Sequence, residues 1–149
     1  MLPVWGRDWI VFVHDRTAAP ATPKQDLYLV RPRGAALQRL THEAIPNGMF
    51  GFTPIAWSAN GRRLIAECNG VGTDYVVTVD PRTGAVHRVG EPTAASRGVA
   101  GFGLSKDGST ILGLQSDRTG NRYTVVALAY GGQPAHLLAR DAISPSWNR

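Results

Sequence analysis

Ile55-Ala56-Trp57-Ser58-Ala59-Asn60-Gly61-Arg62-Arg63-Leu64-Ile65-Ala66-Glu67-Cys68 is followed by a glycine-rich break at 69–73 and then by Asp74-Tyr75-Val76-Val77-Thr78-Val79-Asp80. Asn60-Gly61 stands between the apolar runs Ile55 to Trp57 and Leu64 to Ala66. Asn-Gly in that position predicts a β-hairpin, because both residues tolerate the positive φ of a type I′ turn. Asp74 to Val79, dominated by β-branched and aromatic residues, adds a third strand. A further turn at Asp80-Pro81-Arg82-Thr83-Gly84 leads into a fourth, Ala85 to Val89.

The same order recurs on both sides. Upstream, Leu2 to Trp5, Trp9 to Val13, Asp26 to Val30 and Leu37 to Thr41 read as four strands, with turns at Gly6-Arg7-Asp8 and Arg31-Pro32-Arg33-Gly34 and a long Pro/Ala loop from His14 to Gln25. Downstream, Ala100 to Ser105, Thr110 to Gln115, Arg122 to Leu128 and Ala135 to Ala139 repeat it, and Ile143 to Trp147 starts the pattern once more. His42 to Gly51 and Gly90 to Gly98 are the crossovers. Trp5, Trp57, Leu104 and Trp147 hold equivalent places, with separations of 52, 47 and 43 residues. A period of about 40 to 50 residues with four strands per repeat and no sustained helical period is the mark of propeller blades. The expected fold is therefore all-β: one partial β-propeller domain over 1–149, with blades of four antiparallel strands at about 2–41, 52–89 and 100–139 and the start of a further blade at 143–149. A β-sandwich with similar strand spacing is the alternative.

These residues resemble a known family. The order Trp-Ser-x-Asp-Gly, a strand, a loop, then Asp-Ile-Tyr-Val and a Leu-Thr ending is the repeat of TolB-type propellers, also called WD40-like or PD40 repeats. Trp57-Ser58-Ala59-Asn60-Gly61 and Leu104-Ser105-Lys106-Asp107-Gly108 match the first part, and Asp26-Leu27-Tyr28-Leu29-Val30 with Arg39-Leu40-Thr41 matches the second. The first unit departs from it at the shorter turn Gly6-Arg7-Asp8, and the third has Leu104 in place of tryptophan. The resemblance implies half of a six-bladed ring that serves as a binding platform, in bacteria often periplasmic or envelope-associated. It equally covers the regulatory, non-catalytic propeller of prolyl-oligopeptidase-type serine peptidases.

Three blades and one strand cannot close a ring, and their two end faces would leave apolar sheet uncovered. Either a second copy completes a six-bladed ring, or the chain is a fragment of a longer one without independent function.

Composition narrows the function classes. The chain carries 16 Lys+Arg against 11 Asp+Glu, a formal charge of +5, but the basic residues are scattered singly or in pairs among turns. Without a basic stripe interleaved with aromatics, no nucleic-acid partner is expected. No apolar run reaches the length of a membrane span, and Leu2-Pro3-Val4-Trp5-Gly6-Arg7 is unlike a signal peptide, which leaves the compartment open. A single cysteine, Cys68, excludes an internal disulfide or a cysteine zinc cluster and reads as a small apolar filler.

Catalytic and cofactor chemistry finds no foothold. His14, His42, His87 and His136 lack zinc-site spacing. No Gly-x-Ser-x-Gly elbow occurs, and Ser58 and Ser105 open tight turns where a hydroxyl bonds its own backbone. Gly70-Val71-Gly72 and Gly101-Phe102-Gly103 precede no helix and so form no phosphate cradle. The loops Asn69 to Asp74 and Ser116 to Asn121 hold too few oxygens for calcium. The innermost strands carry no acidic residue for a pore enzyme. No catalytic residue, cofactor or metal is expected. What remains is a protein-binding scaffold whose partner meets one loop face: His14, Asp15, Arg16, His42, Glu43, Asn47, Asn69, Asp74, Arg97, Asp117, Arg118 and Asn121.

Overall fold

The computed structural model describes residues 3–15, 24–42, 49–70, 74–89, 96–130, 133–143 and 145, and of 96 and 97 the backbone alone. Among these residues the fold is all-β, with twelve strands and no helix. They are β1 (Val4–Trp5), β2 (Ile10–Asp15), β3 (Gln25–Val30), β4 (Gln38–Arg39), β5 (Met49–Trp57), β6 (Leu64–Gly70), β7 (Tyr75–Val79), β8 (Val86–Arg88), β9 (Ser96–Leu104), β10 (Thr110–Asp117), β11 (Tyr123–Ala129) and β12 (His136–Arg140). Each of the twelve expected strands is present. The strand expected at Ile143 to Trp147 falls largely outside the described residues.

Antiparallel pairing runs in chain order within each group of four: β1 with β2, β2 with β3 and β3 with β4, then β5 to β8 and β9 to β12 in the same way. A single parallel pair, Gln25 with Gly51, joins β3 to β5 and makes one eight-stranded path of the first two meanders. The third meander is a separate four-stranded sheet, and neither sheet closes on itself.

The crossovers are shorter than the sequence suggests, because Met49 to Gly51 and Ser96 to Gly98 already belong to β5 and β9. The turn type is also corrected. Gly61 N donates to Ser58 O at 2.8 Å and Gly61 has φ 66°, while Asn60 is not at positive φ. A turn whose central residues are both right-handed is type I, with the glycine as the left-handed residue that follows. Asn60 serves through its side chain instead: Oδ1 accepts from Arg62 N at 3.0 Å, and Ser58 Oγ accepts from Arg63 N at 2.9 Å. The Ser105-Lys106-Asp107-Gly108 turn repeats this, with Gly108 at φ 71° and Ser105 Oγ accepting from Thr110 N at 3.0 Å.

The strand period of two sends alternate side chains of the middle meander to opposite neighbours. Leu64, Ala66, Cys68, Val77 and Val79 join Val11, Leu27 and Leu29 of the first meander in one buried cluster. Ile65 and Val76 join Val99, Ile111, Val126 and Leu128 of the third in another. Each such aliphatic side chain contributes about 1.5 to 3 kcal/mol on burial, so these two clusters hold the three meanders together. Trp57 extends the first: its Nε1 donates to Val4 O at 3.4 Å, and a Cβ on Gly6 would lie 2.8 Å from its indole. That contact gives the glycine at position 6 a physical reason. Trp5, at the equivalent place in β1, is 63% exposed.

Candidate functional site

At one end of the molecule the adjoining ends of second and third strands come together through the backbone. Asp15 pairs with Gln25, Gln25 with Gly51, and Gly51 with Asn69. Gly70 N then donates to Asp74 Oδ1 at 3.1 Å, and Val99 N donates to Asp74 O at 2.7 Å. On the third meander Gly98 pairs with Ser116 and Ser96 with Asp117. Between the last two meanders lies a cleft of about 240 Å³ lined by Asp74, Gly98, Ser116, Gly120 and Tyr123.

The expected site residues divide by position. Asp15, Asn69, Asp74, Asp117, Arg118 and Asn121 stand at this end, all of them at strand ends or in the adjoining turn. His14 is in β2 with its ring edge-on to Tyr28, centroids 5.2 Å apart. His42 stands apart, beside Gly84 in the turn at the far end of β7 from Asp74. Arg97 contributes its backbone to β9, and Arg16, Glu43 and Asn47 lie outside the described residues.

The acids here differ in what their charge is committed to. Asp117 Oδ1 accepts from Thr119 N at 3.0 Å, Thr119 Oγ1 at 2.8 Å and Asn121 N at 3.1 Å. Those bonds, the one from the Thr119 hydroxyl foremost, lower its pKa and spend its charge inside its own loop. Arg118 and Asn121 beside it are exposed. Asn69 Nδ2 donates to Thr53 Oγ1 and braces β6 against β5.

Glu67, absent from the expected set, is the most perturbed acid of this end. Its carboxyl lies between the second and third meanders, where burial, and secondarily the charge of Asp74, push its pKa up to about 7 against a hydrogen bond from the Gly101 backbone. The sequence signal was present: Glu67 is the one charged residue inside Leu64-Ile65-Ala66-Glu67-Cys68. Its neighbour Cys68 is buried in the first cluster, where burial pushes the thiol pKa up. Tyr75 bonds that thiol and is itself pushed up to about 12, chiefly by burial, while the Arg88 guanidinium lies 4.4 Å from its ring centroid.

No protein-family model matches the chain, and no curated protein matches it. The site therefore rests on its geometry. Among the described residues no group of three or more His, Cys, Asp or Glu side chains is placed to hold a metal ion, and no helix is long and apolar enough to cross a membrane.

Glu67 gives a pH dependence of definite sign. Its folded pKa of about 7 exceeds the ordinary value of 4.5, so the folded state holds the proton more tightly. The stabilisation that follows is fully present below about pH 4.5 and lost as pH rises through about 7. Urea unfolding between pH 5 and 8 should show stability falling with pH, and Glu67→Gln should flatten that slope. An unchanged slope in the variant would remove Glu67 as its cause.

Proposed function

We propose that the chain is a run of TolB-like propeller blades acting as a non-catalytic, protein-binding scaffold, with the Asp74 to Asn121 loop end as its contact surface. The observation that carries this is the repeated joint. Gly51 lies against the Gln25 backbone and Gly98 against the Asp74 backbone, so each meander meets the next at a glycine in the equivalent place, and the strand ends beside both joints lie at one end. Loops displayed on a rigid repeat scaffold are where recognition concentrates.

Placing a photo-crosslinking residue at position 118, and in a second protein at position 33 in the opposite turn, tests the assignment in the native cells. A defined protein adduct is expected from 118 and none from 33. Arg118→Ala with Asn121→Ala should then cut capture about tenfold or more while leaving the melting temperature unchanged, as loss of an interface arginine does. Equal adducts from both positions, or none from 118, would refute the loop end as the contact surface.

A further inference from the structure

A second cleft, of about 500 Å³, lies away from the loop end, between the outer strands of the middle meander and the end of β11. Arg62 and Arg63 leave the Ser58 turn at its rim; Thr78 and His87, paired across β7 and β8, form one wall; Val89 and Tyr130 form the other. Strand alternation puts Arg63, Ile65, Thr78, His87 and Val89 on the face toward the third meander, where Ile65 and Val89 are core.

Three features point to a ligand. Among the described residues, neither Arg62 nor Arg63 has an ion pair to a carboxylate. The Arg63 guanidinium is 5.4 Å from the Tyr130 ring centroid, a position that keeps its N–H fork available. The Tyr130 hydroxyl is shut off from solvent and has no hydrogen-bond partner, a condition that buried polar groups rarely tolerate. The one carboxylate in the lining, Asp80, is held by its own turn, with Oδ1 accepting from Arg82 N at 2.8 Å and Thr83 N at 3.3 Å. The excess of charge in the cleft is thus positive, and planar guanidinium groups match a tetrahedral oxyanion better than a point cation does. The volume exceeds that of phosphate alone, and the Val89 and Tyr130 wall is apolar enough for a small organic body.

We propose that this cleft binds a small organic phosphate, its oxyanion gripped by Arg62 and Arg63 and its organic part laid against Tyr130 and Val89. As Arg63 turns from the ring toward the oxyanion, the Tyr130 hydroxyl gains the acceptor it lacks. The site is independent of the protein-binding role of the loop end, which lies on other residues.

Calorimetric titration of the full chain with phenyl phosphate and with inorganic phosphate, at ionic strength matched with chloride, tests it. Phenyl phosphate is expected to bind, and to bind at least about fivefold more tightly than inorganic phosphate because of the ring contact. Arg63→Ala, whose backbone hydrogen bond to Ser58 remains, should weaken phenyl phosphate about tenfold or more; Arg63→Lys should recover part of that; Tyr130→Phe should cost a few-fold while retaining the stacking. Arg118→Ala should leave phenyl phosphate binding unchanged. Absence of phenyl phosphate binding, equal binding of the two anions, or equal losses in Arg63→Ala and Arg118→Ala would overturn the proposal.

Discussion

Gly51→Ala is expected to lower the free energy of unfolding by about 4 kcal/mol, the sum of backbone strain and overpacking. Gly51 has φ +136°, which side chains rarely adopt, and a Cβ there would fall well inside van der Waals contact of the Gln25 carbonyl. The opposing atoms are backbone, so no side chain can turn aside. Gly98→Ala meets the Asp74 carbonyl in the same way without the unusual φ, and should cost about 3 kcal/mol, the overpacking alone. Gly34→Ala is the control: its φ is +78° with nothing within 4 Å, so it should cost about 1 kcal/mol, strain alone. Urea denaturation of the three variants separates strain from close approach. If Gly51→Ala lost no more than Gly34→Ala, the β3–β5 joint would not be a tight one.

Strand positions were legible because each has its own local signal. Short β-branched and aromatic runs are bounded by glycine turns, and those turns recur with the same serine and glycine: Ser58 with Gly61, Ser105 with Gly108. The joints were not legible in that way. Gly51 and Gly98 each stand six residues before Trp57 and Leu104, but their partners Gln25 and Asp74 are distant in the chain, and a glycine demanded by another backbone looks like any other glycine. The Asn60-Gly61 turn is type I rather than I′ because local preference competes with the Asn60 carbonyl oxygen, which bonds the backbone of its own loop and keeps Asn60 out of positive φ. At the candidate site, His14, Asp15, Asn69 and Asp117, expected on loops, lie at strand ends, while Arg118 and Asn121 are in a turn. Glu67 lies in a strand rather than a loop, and its burial depends on the neighbouring sheet.

Asp26→Ala is expected to be the most damaging side-chain substitution, costing about 3 to 5 kcal/mol, the usual loss when one member of a buried pair is removed. Asp26 is fully buried; its Oδ2 lies 3.2 Å from Arg39 Nη2, and its Oδ1 accepts from Thr41 Oγ1 at 3.1 Å. Thr41 Oγ1 in turn accepts from Leu27 N at 3.0 Å. This clip fastens β4, only two residues long, to β3, and it uses Asp26 and Leu27 of the one segment and Arg39 and Thr41 of the other. Truncating Asp26 leaves the Arg39 guanidinium, 27% exposed and with its Nε already unpartnered, facing a void, and takes the acceptor from the Thr41 hydroxyl. Thr41→Val removes the hydroxyl but leaves the ion pair, and should cost about 1 to 2 kcal/mol. Because the two share one network, the double variant should lose about 1 kcal/mol less than the sum of the singles. Strict additivity in urea denaturation, with Asp26→Ala costing under 1 kcal/mol, would show that the clip does not hold β4 in place.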